Sequence, residues 1–114
     1  QLVSGQIEGG VAMGIGHALY EFLPLYEDGP GNGTWNFNRY HLPRASEVAV
    51  WSQASEVLPP VTESDPSKGM AEVVMIPVVS AITNAIAART GHYLNSYPIL
   101  PEHVLKVLKN ANHV

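Results

Sequence analysis

The stretch QIEGGVAMGIGHALYEF, residues 6–22, predicts the first element of the fold. Its apolar residues recur at spacings of three and four, as expected for one apolar face of a helix. These residues are Ile7, Val11, Ile15, Ala18, Leu19 and Phe22. The glycines within it oppose a helix by about 1 kcal/mol each relative to alanine. We therefore expect close approach of another element or a ligand, through the small-residue pairs Gly5–Gly9 and Gly10–Gly14.

The rest of the chain predicts two strands and two further helices. Alternating aromatic and polar residues predict a strand over 33–40, and valines predict another within 47–58. A long polar loop over 57–70 leads to a helix that begins near Pro77 and ends at Gly91. That helix is apolar on most sides, so we expect it to be buried.

A short C-terminal helix over 101–109 completes the pattern. The order of elements predicts an α+β fold: a Gly-rich helix, a small sheet of about two to four strands, a long loop, a buried helix and a short final helix. The helices would cover one face of the sheet. Residues 1–114 are expected to be part of a larger domain, because the chain begins QLVSGQIEGG and enters a helix almost at once.

Composition narrows the possible functions. The 114 residues are 46% hydrophobic and 14% charged, which is typical of a packed globular domain. A net charge of −4, with six unclustered Lys and Arg residues, argues against nucleic acid as a partner. The absence of cysteine excludes thiolate-bound zinc, cysteine-held iron–sulfur clusters and a cysteine nucleophile within this chain. No apolar run approaches the roughly 20 residues that span a bilayer.

Familiar catalytic motifs do not explain the remaining polar residues. The five histidines show no pair at the i, i+4 spacing of zinc-hydrolase motifs, so side-chain ligation of a metal is not expected. No serine lies in a G-x-S-x-G context. The glycines at 9–16 match neither G-x-G-x-x-G nor the P-loop spacing, and by themselves they indicate tight helix packing.

Two polar side chains remain as candidates. Glu72 lies in SKGMAEVVMIPVV, residues 67–79, with apolar neighbours on its C-terminal side. A carboxylate just before a helix is often only a favourable partner of the helix dipole, and the functional alternative is a general base in a partly dry pocket. Gln6 offers an amide at the predicted start of a helix, where free N–H groups favour anions.

Together these motifs resemble the C-terminal part of the molybdenum-binding subunit of the molybdenum hydroxylases, the xanthine dehydrogenase and aldehyde oxidoreductase family. The resemblance is carried by GQIEGGVAMGIGHALYE at 5–21, by SKGMAEVVMIPVVSAITNAIAARTG at 67–91 and by SYPILPEHVLKVL at 96–108. It implies that Gln6 hydrogen-bonds the pyranopterin cofactor and that Glu72 is the general base at a Mo–OH centre. It also implies that Gly69 and Ala71 let the backbone pass close to the cofactor.

The resemblance implies a molybdenum–molybdopterin cofactor, in the form of molybdopterin cytosine dinucleotide. The metal is held by the cofactor and not by side chains. Partner subunits would carry 2Fe–2S clusters and, in some systems, haem on a cytochrome c subunit. The rest of the molybdenum subunit would complete the site, so this chain alone would be inactive. The compartment stays open between bacterial cytoplasm and periplasm.

Departures from the family pattern bear on the substrate. Many members read Gly-Glu-Pro-Pro where this chain reads Ala71-Glu72-Val73-Val74. The loop GPGNGTWNFNRYHLP is closer to bacterial aldehyde dehydrogenase and isoquinoline 1-oxidoreductase subunits than to the xanthine enzymes. The resemblance thus favours an aldehyde or an N-heteroaromatic compound over a purine. The alternative from another class is a small non-enzymatic α+β module that docks a partner through its Gly-rich and apolar helices.

Overall fold

A computed structural model of the chain describes residues 2–25, 33, 35–48 and 54–111. Within these residues the helices are α1 (Leu2–Leu19), α2 (Ala45–Val48), α3 (Ile76–Thr90) and α4 (Pro101–Ala111), with a 3₁₀ turn (Glu72–Val74) just before α3. Helices α1, α3 and α4 lie where the sequence predicts helices. The first begins at Leu2 and ends at Leu19, whereas the prediction ran from Gln6 to Phe22.

The ends of α3 follow the predicted capping chemistry. A proline stands at the start of the helix, where its missing N–H costs no hydrogen bond. At the other end Gly91 adopts a left-handed conformation with φ of 75°. Its N–H donates to the carbonyl oxygen of Ala87 at 2.8 Å. Because glycine takes positive φ without steric cost, it ends the helix here.

Helix α1 packs against the 3₁₀ turn and α3 through two glycines. A Cβ atom added to Gly10 would lie 2.7 Å from Cβ of Val74, and one added to Gly14 would lie 2.5 Å from Cβ of Val78. Both distances are too short for any residue with a side chain at these two positions. Since both contacts advance by four residues in the same sense, α1 and α3 run side by side in the same direction.

The predicted close approach is thus confirmed for Gly10–Gly14. The Gly5–Gly9 pair behaves differently, since nothing lies within 4 Å of a Cβ added to either residue. Gly16, one turn from the end of α1, is buried between the Glu21 carboxylate and Pro43, whose Cδ would lie 3.0 Å from an added Cβ. Small residues on α1 therefore serve two separate contacts.

The segment predicted as two strands is irregular where it is described. Residues 35–40 form turns, with the N–H groups of Arg39 and Tyr40 donating to the carbonyl oxygen of Asn36 at 2.9 Å each. Residues 45–48, at the start of the second predicted strand, form α2. The described residues contain no strand. The small sheet stays a prediction, because residues 49–53 of the second strand lie outside the described residues.

Few apolar side chains are buried by this chain alone. Among the described residues Ala18, Ala87 and Ile99 form the buried apolar core, and the Ile99 N–H donates to the carbonyl oxygen of Ala18 at 2.7 Å. The accessible surface is 8954 Å², against roughly 6,100 Å² for a compact monomer of this size. The radius of gyration is 18.1 Å, against roughly 13 Å. The chain therefore presents an unusually large uncovered surface.

Helix α3 shares this exposure, contrary to its predicted burial. Only Thr83, Ala87 and Thr90 of α3 are buried, and Ile76 is 72% exposed. Glu72–Thr90 is also the one helical stretch of the described residues that is long and apolar enough to cross a membrane, by length and composition alone. The prediction that no run approaches that length was therefore wrong. A core helix of a larger globular protein passes the same test, so this length does not establish a membrane span.

Candidate functional site

The packing of α1 on the 3₁₀ turn brings the two candidate side chains to one end of the helix pair. Gln6 lies one turn before Gly10 on α1, and Glu72 is the first residue of the turn that places Val74 against Gly10. One turn corresponds to about 6 Å of rise. Two residues separated by 72 − 6 = 66 positions therefore lie within about one turn of the same contact.

Gln6 is exposed on the second turn of α1. Since the helix begins at Leu2, the backbone N–H of Gln6 is not one of the four free N–H groups at its start. The expectation that Gln6 marks the helix start was therefore wrong. In the part of the chain that the structure describes, its side-chain amide makes no hydrogen bond, so both its N–H and its C=O groups are available to a ligand.

Glu72 is exposed, as are its neighbours Ala71 and Val73. No side chain caps the 3₁₀ turn, and Ala71 precedes it with φ of −93° and ψ of −107°. Within the described residues no hydrogen bond or ion pair holds the Glu72 carboxylate. The partly dry pocket expected around it is not formed by the described residues.

Gly69 and Ala71 lie on the same approach to the turn, and both are exposed. A Cβ added to Gly69 would meet nothing within 4 Å. The packing of this chain therefore does not require glycine at position 69. The predicted reason for the small residues, close passage of the backbone by a cofactor, stays a prediction.

The start of α3 lies beside the middle of α1, because Val74 meets Gly10 and Val78 meets Gly14. Neither helix carries an acidic residue in its first turn, and the basic residues His17 and Arg89 lie in the last turns. The free N–H groups at the start of α3 favour a negatively charged group.

Side-chain ligands for a metal ion are absent from the described residues. No three His, Cys, Asp or Glu side chains come close enough together there to hold an ion. A metal at this end would therefore need ligands from outside these described side chains.

A second polar cluster, at the C-terminal end of α1, was missed by the sequence analysis. The Tyr40 hydroxyl donates to the Glu21 carboxylate, and this hydrogen bond raises the pKa of Tyr40. The Arg44 N–H donates to Glu47 Oε2 at 2.6 Å and lowers the pKa of Glu47, with His41 Nε2 lying 3.4 Å from the same oxygen. We call these five residues the Glu21–Tyr40 cluster. Its polar groups satisfy one another, which is typical of a structural contact.

A shallow groove beside α4 was also not predicted. It encloses about 370 Å³, and its polar lining includes Tyr93, Asn95, His103 and Lys106. The backbone N–H of Leu100 lies 3.3 Å from His103 Nδ1, so this histidine also caps the start of α4. No spacing in the sequence marks the groove, because its two walls come from a loop and from a helix face.

Comparison with known proteins identifies a family for the N-terminal part of the chain. Residues 1–49 match the family model of the molybdopterin cofactor-binding domain. This match includes Gln6 and all of α1, but it ends before Glu72.

Curated relatives extend the match over most of the chain. The chain is 29% identical to a xanthine dehydrogenase molybdenum-binding subunit of Escherichia coli O157:H7. The match extends over 103 residues, which are 90% of this chain and 14% of the relative. The chain is 32% identical to the nicotine 6-hydroxylase large subunit of Paenarthrobacter nicotinovorans over 111 residues, 95% of this chain and 14% of the relative.

The isoquinoline 1-oxidoreductase subunit beta of Brevundimonas diminuta is 31% identical over 101 residues, 88% of this chain and 12% of the relative. The chain thus spans about one seventh of the length of the curated relatives it matches. Because each of these alignments extends over at least 101 of the 114 residues, each of them includes Glu72. We conclude that the chain is a segment of the molybdenum-binding subunit of the xanthine dehydrogenase family of oxidoreductases, with its first 49 residues in the molybdopterin cofactor-binding domain.

Proposed function

We propose that this chain supplies one wall of a molybdenum-cofactor site, with Gln6 as a cofactor ligand and Glu72 as the general base. The observation that carries the proposal is the contact between Gly10 and Val74, which brings Gln6 and Glu72 to the same end of the α1–α3 contact. Within the described residues the Gln6 amide and the Glu72 carboxylate are exposed and make no side-chain hydrogen bond there.

The groups present at this end fit the cofactor chemically. The Gln6 amide can both donate to and accept from the polar edge of a pterin, and the free N–H groups at the start of α3 favour its phosphate groups. The open space at Gly69 and Ala71 allows a bulky group to approach the backbone. We further propose the cytosine dinucleotide form of molybdopterin. When bound, the cofactor supplies a two-electron redox centre.

Glu72 is the proton acceptor of the proposed reaction. Its carboxylate accepts a proton during oxidation of the substrate, and the backbone of the 3₁₀ turn sets where the carboxylate stands. General-base catalysis by a positioned carboxylate contributes about 10²–10⁴-fold to a rate. Since Glu72 is exposed here, the surrounding polypeptide must exclude water from it.

The substrate proposal is an aldehyde or an N-heteroaromatic compound. Two relatives carry names of N-heterocyclic compounds, nicotine and isoquinoline, which supports the second class. Electrons would leave through a separate subunit with 2Fe–2S clusters, in some systems on to a cytochrome c subunit. The excess of exposed surface supports cover by the remaining molybdenum-binding polypeptide.

The test is Glu72→Gln in the complete enzyme with its partner subunits. We expect kcat to fall at least about 100-fold while the molybdenum content, measured by elemental analysis, stays at the wild-type level. Glu63→Gln is the matched control, because Glu63 is an exposed carboxylate of the preceding loop. Full activity of Glu72→Gln, or a complex that contains no molybdenum, would overturn the proposal.

The second candidate, a non-enzymatic docking module, is favoured by the same uncovered apolar surface. It predicts that Glu72→Gln and Glu63→Gln behave alike in every assay. It also predicts that the native complex lacks molybdenum. The experiment above therefore separates the two candidates.

A further inference from the structure

We propose that Gly10 is a positioning residue for Glu72. The absence of a side chain at Gly10 lets Val74 lie directly on α1, and this contact fixes the backbone at the end of the 3₁₀ turn. The inference rests on the proposed function for the role of Glu72 as a base, but the steric argument concerns this chain alone.

The contact at Gly10 involves atoms that cannot move independently of the backbone. An added Cβ would lie 2.7 Å from Val74 Cβ, 2.9 Å from Val74 Cγ1 and 3.4 Å from the backbone nitrogen of Met75. A Cβ atom is bonded directly to the main chain, so no rotation about a side-chain bond relieves the clash. Any residue larger than glycine must therefore shift the backbone of the 3₁₀ turn relative to α1.

A displacement at this contact reaches Glu72 through one hydrogen bond. The Met75 N–H donates to the carbonyl oxygen of Glu72 at 3.1 Å, which closes the turn. Within the described residues the Glu72 side chain has no hydrogen bond or ion pair of its own. Its position is therefore set by the backbone of the turn, and the turn is set by Gly10.

Gly9 is the matched control on α1. It lies next to Gly10 in the same helix, but a Cβ added to it would meet nothing within 4 Å. Alanine also favours a helix more than glycine does. Gly9→Ala and Gly10→Ala thus make the same chemical change, and only the second one disturbs the turn.

The experiment uses the complete enzyme with its partner subunits. We expect Gly10→Ala to speed amide hydrogen exchange in residues 72–75 at least about fivefold and to lower kcat at least about tenfold at unchanged molybdenum content. Gly9→Ala should stay within about twofold of wild type in both measurements. Equal exchange in the two variants would overturn the positioning role.

A double-mutant cycle with Glu72→Gln distinguishes a positioning role of Gly10 from a merely structural one. It compares the effect of Gly10→Ala on kcat in the wild-type and the Glu72→Gln backgrounds. If Gly10 acts through Glu72, Gly10→Ala causes no further loss of kcat in the Glu72→Gln background. An equal loss in both backgrounds would overturn the proposal. Failure of the proposed function looks different, because Glu72→Gln would then keep its activity while the exchange result for Gly10→Ala still stands.

A double variant keeps the proposal testable if Gly10→Ala alone does not assemble. Gly10→Ala combined with Val74→Gly removes the atom that an alanine would meet first. This double variant should assemble and should show a kcat at least about threefold above that of Gly10→Ala, or above zero if the single variant yields no enzyme. A double variant that also fails to assemble would overturn the steric explanation.

Discussion

The middle of α1 and its C-terminal end make contacts of opposite character. Around Gly10 and Gly14 the helix is bound by shape alone, since glycines meet valines and the nearby polar side chains, Gln6 and Glu72, are left exposed. At its C-terminal end the Glu21–Tyr40 cluster consists of polar groups that pair with one another. The side chains of the Glu21–Tyr40 cluster are used by the fold itself, whereas those of Gln6 and Glu72 stay accessible to water or to a ligand.

The largest effect on stability is expected from the middle of α1, where glycines pack on valines. Gly14→Ala places a Cβ 2.5 Å from Val78 Cβ, and such overpacking costs about 1–3 kcal/mol, offset in part by about 1 kcal/mol of helix propensity. We therefore expect a lower midpoint of thermal unfolding in the complete polypeptide.

Gly5→Ala is the control for this substitution, because a Cβ at position 5 meets nothing within 4 Å. It should leave the midpoint unchanged or raise it slightly. If both variants unfold at the same temperature, the packing of glycines on valines does not hold the helix pair together.

A smaller effect is expected at the paired end. Tyr40→Phe removes the hydrogen bond to Glu21, which is only partly buried, so we expect a loss of about 1 kcal/mol. This loss corresponds to about fivefold faster amide exchange in residues 40–48, measured by mass spectrometry. Turnover and molybdenum content should not change. A loss of turnover in Tyr40→Phe would contradict the distinction between the middle of α1 and its C-terminal end.

The smallest effect concerns pH at the same end. The pKa of Glu47 lies below its ordinary value of 4.5, chiefly because the Arg44 N–H donates to it and secondly because of His41. A lowered carboxyl pKa contributes stability above the unfolded pKa, and this stability is lost as the pH falls through the folded pKa. Amide exchange in residues 44–48, corrected for its intrinsic pH dependence, should therefore accelerate only below about pH 4.5.

The variant His41→Ala tests the order of causes at Glu47. Since the backbone N–H of Arg44 is the larger cause, the acid transition should keep most of its shift in this variant. If the acid transition of Glu47 in His41→Ala moved fully to the ordinary pKa of 4.5, His41 would be the main partner.

The parts of the fold that the sequence predicts are those with a local signal. Spacings of three and four, together with Pro77 and Gly91, identify α1 and α3, and the Gly10–Gly14 pair predicts close approach. The irregular conformation of residues 35–40 could not be predicted, because alternating aromatic and polar residues suit turns as well as strands when no neighbouring strand is specified. The Glu21–Tyr40 hydrogen bond joins residues 19 positions apart, and no pattern encodes it.

The candidate site shows the same limit. Gln6 and Glu72 were found from their resemblance to family motifs, and the structure adds that the two lie at a shared end. The dry environment that a general base needs could not be tested from this chain, because Ala71, Glu72 and Val73 are all exposed.

The shared direction of α1 and α3 also explains the separation of the two candidate residues along the chain. Gly10 lies nine residues before the end of α1, so the polypeptide must travel back about 14 Å before Val74 can lie beside Gly10. About four or five extended residues would cover the distance. The chain has residues 20–71 for this return path, which is far more than the distance requires. Insertions or deletions in that path can therefore alter the outer surface of the protein while Gln6 and Glu72 keep their places.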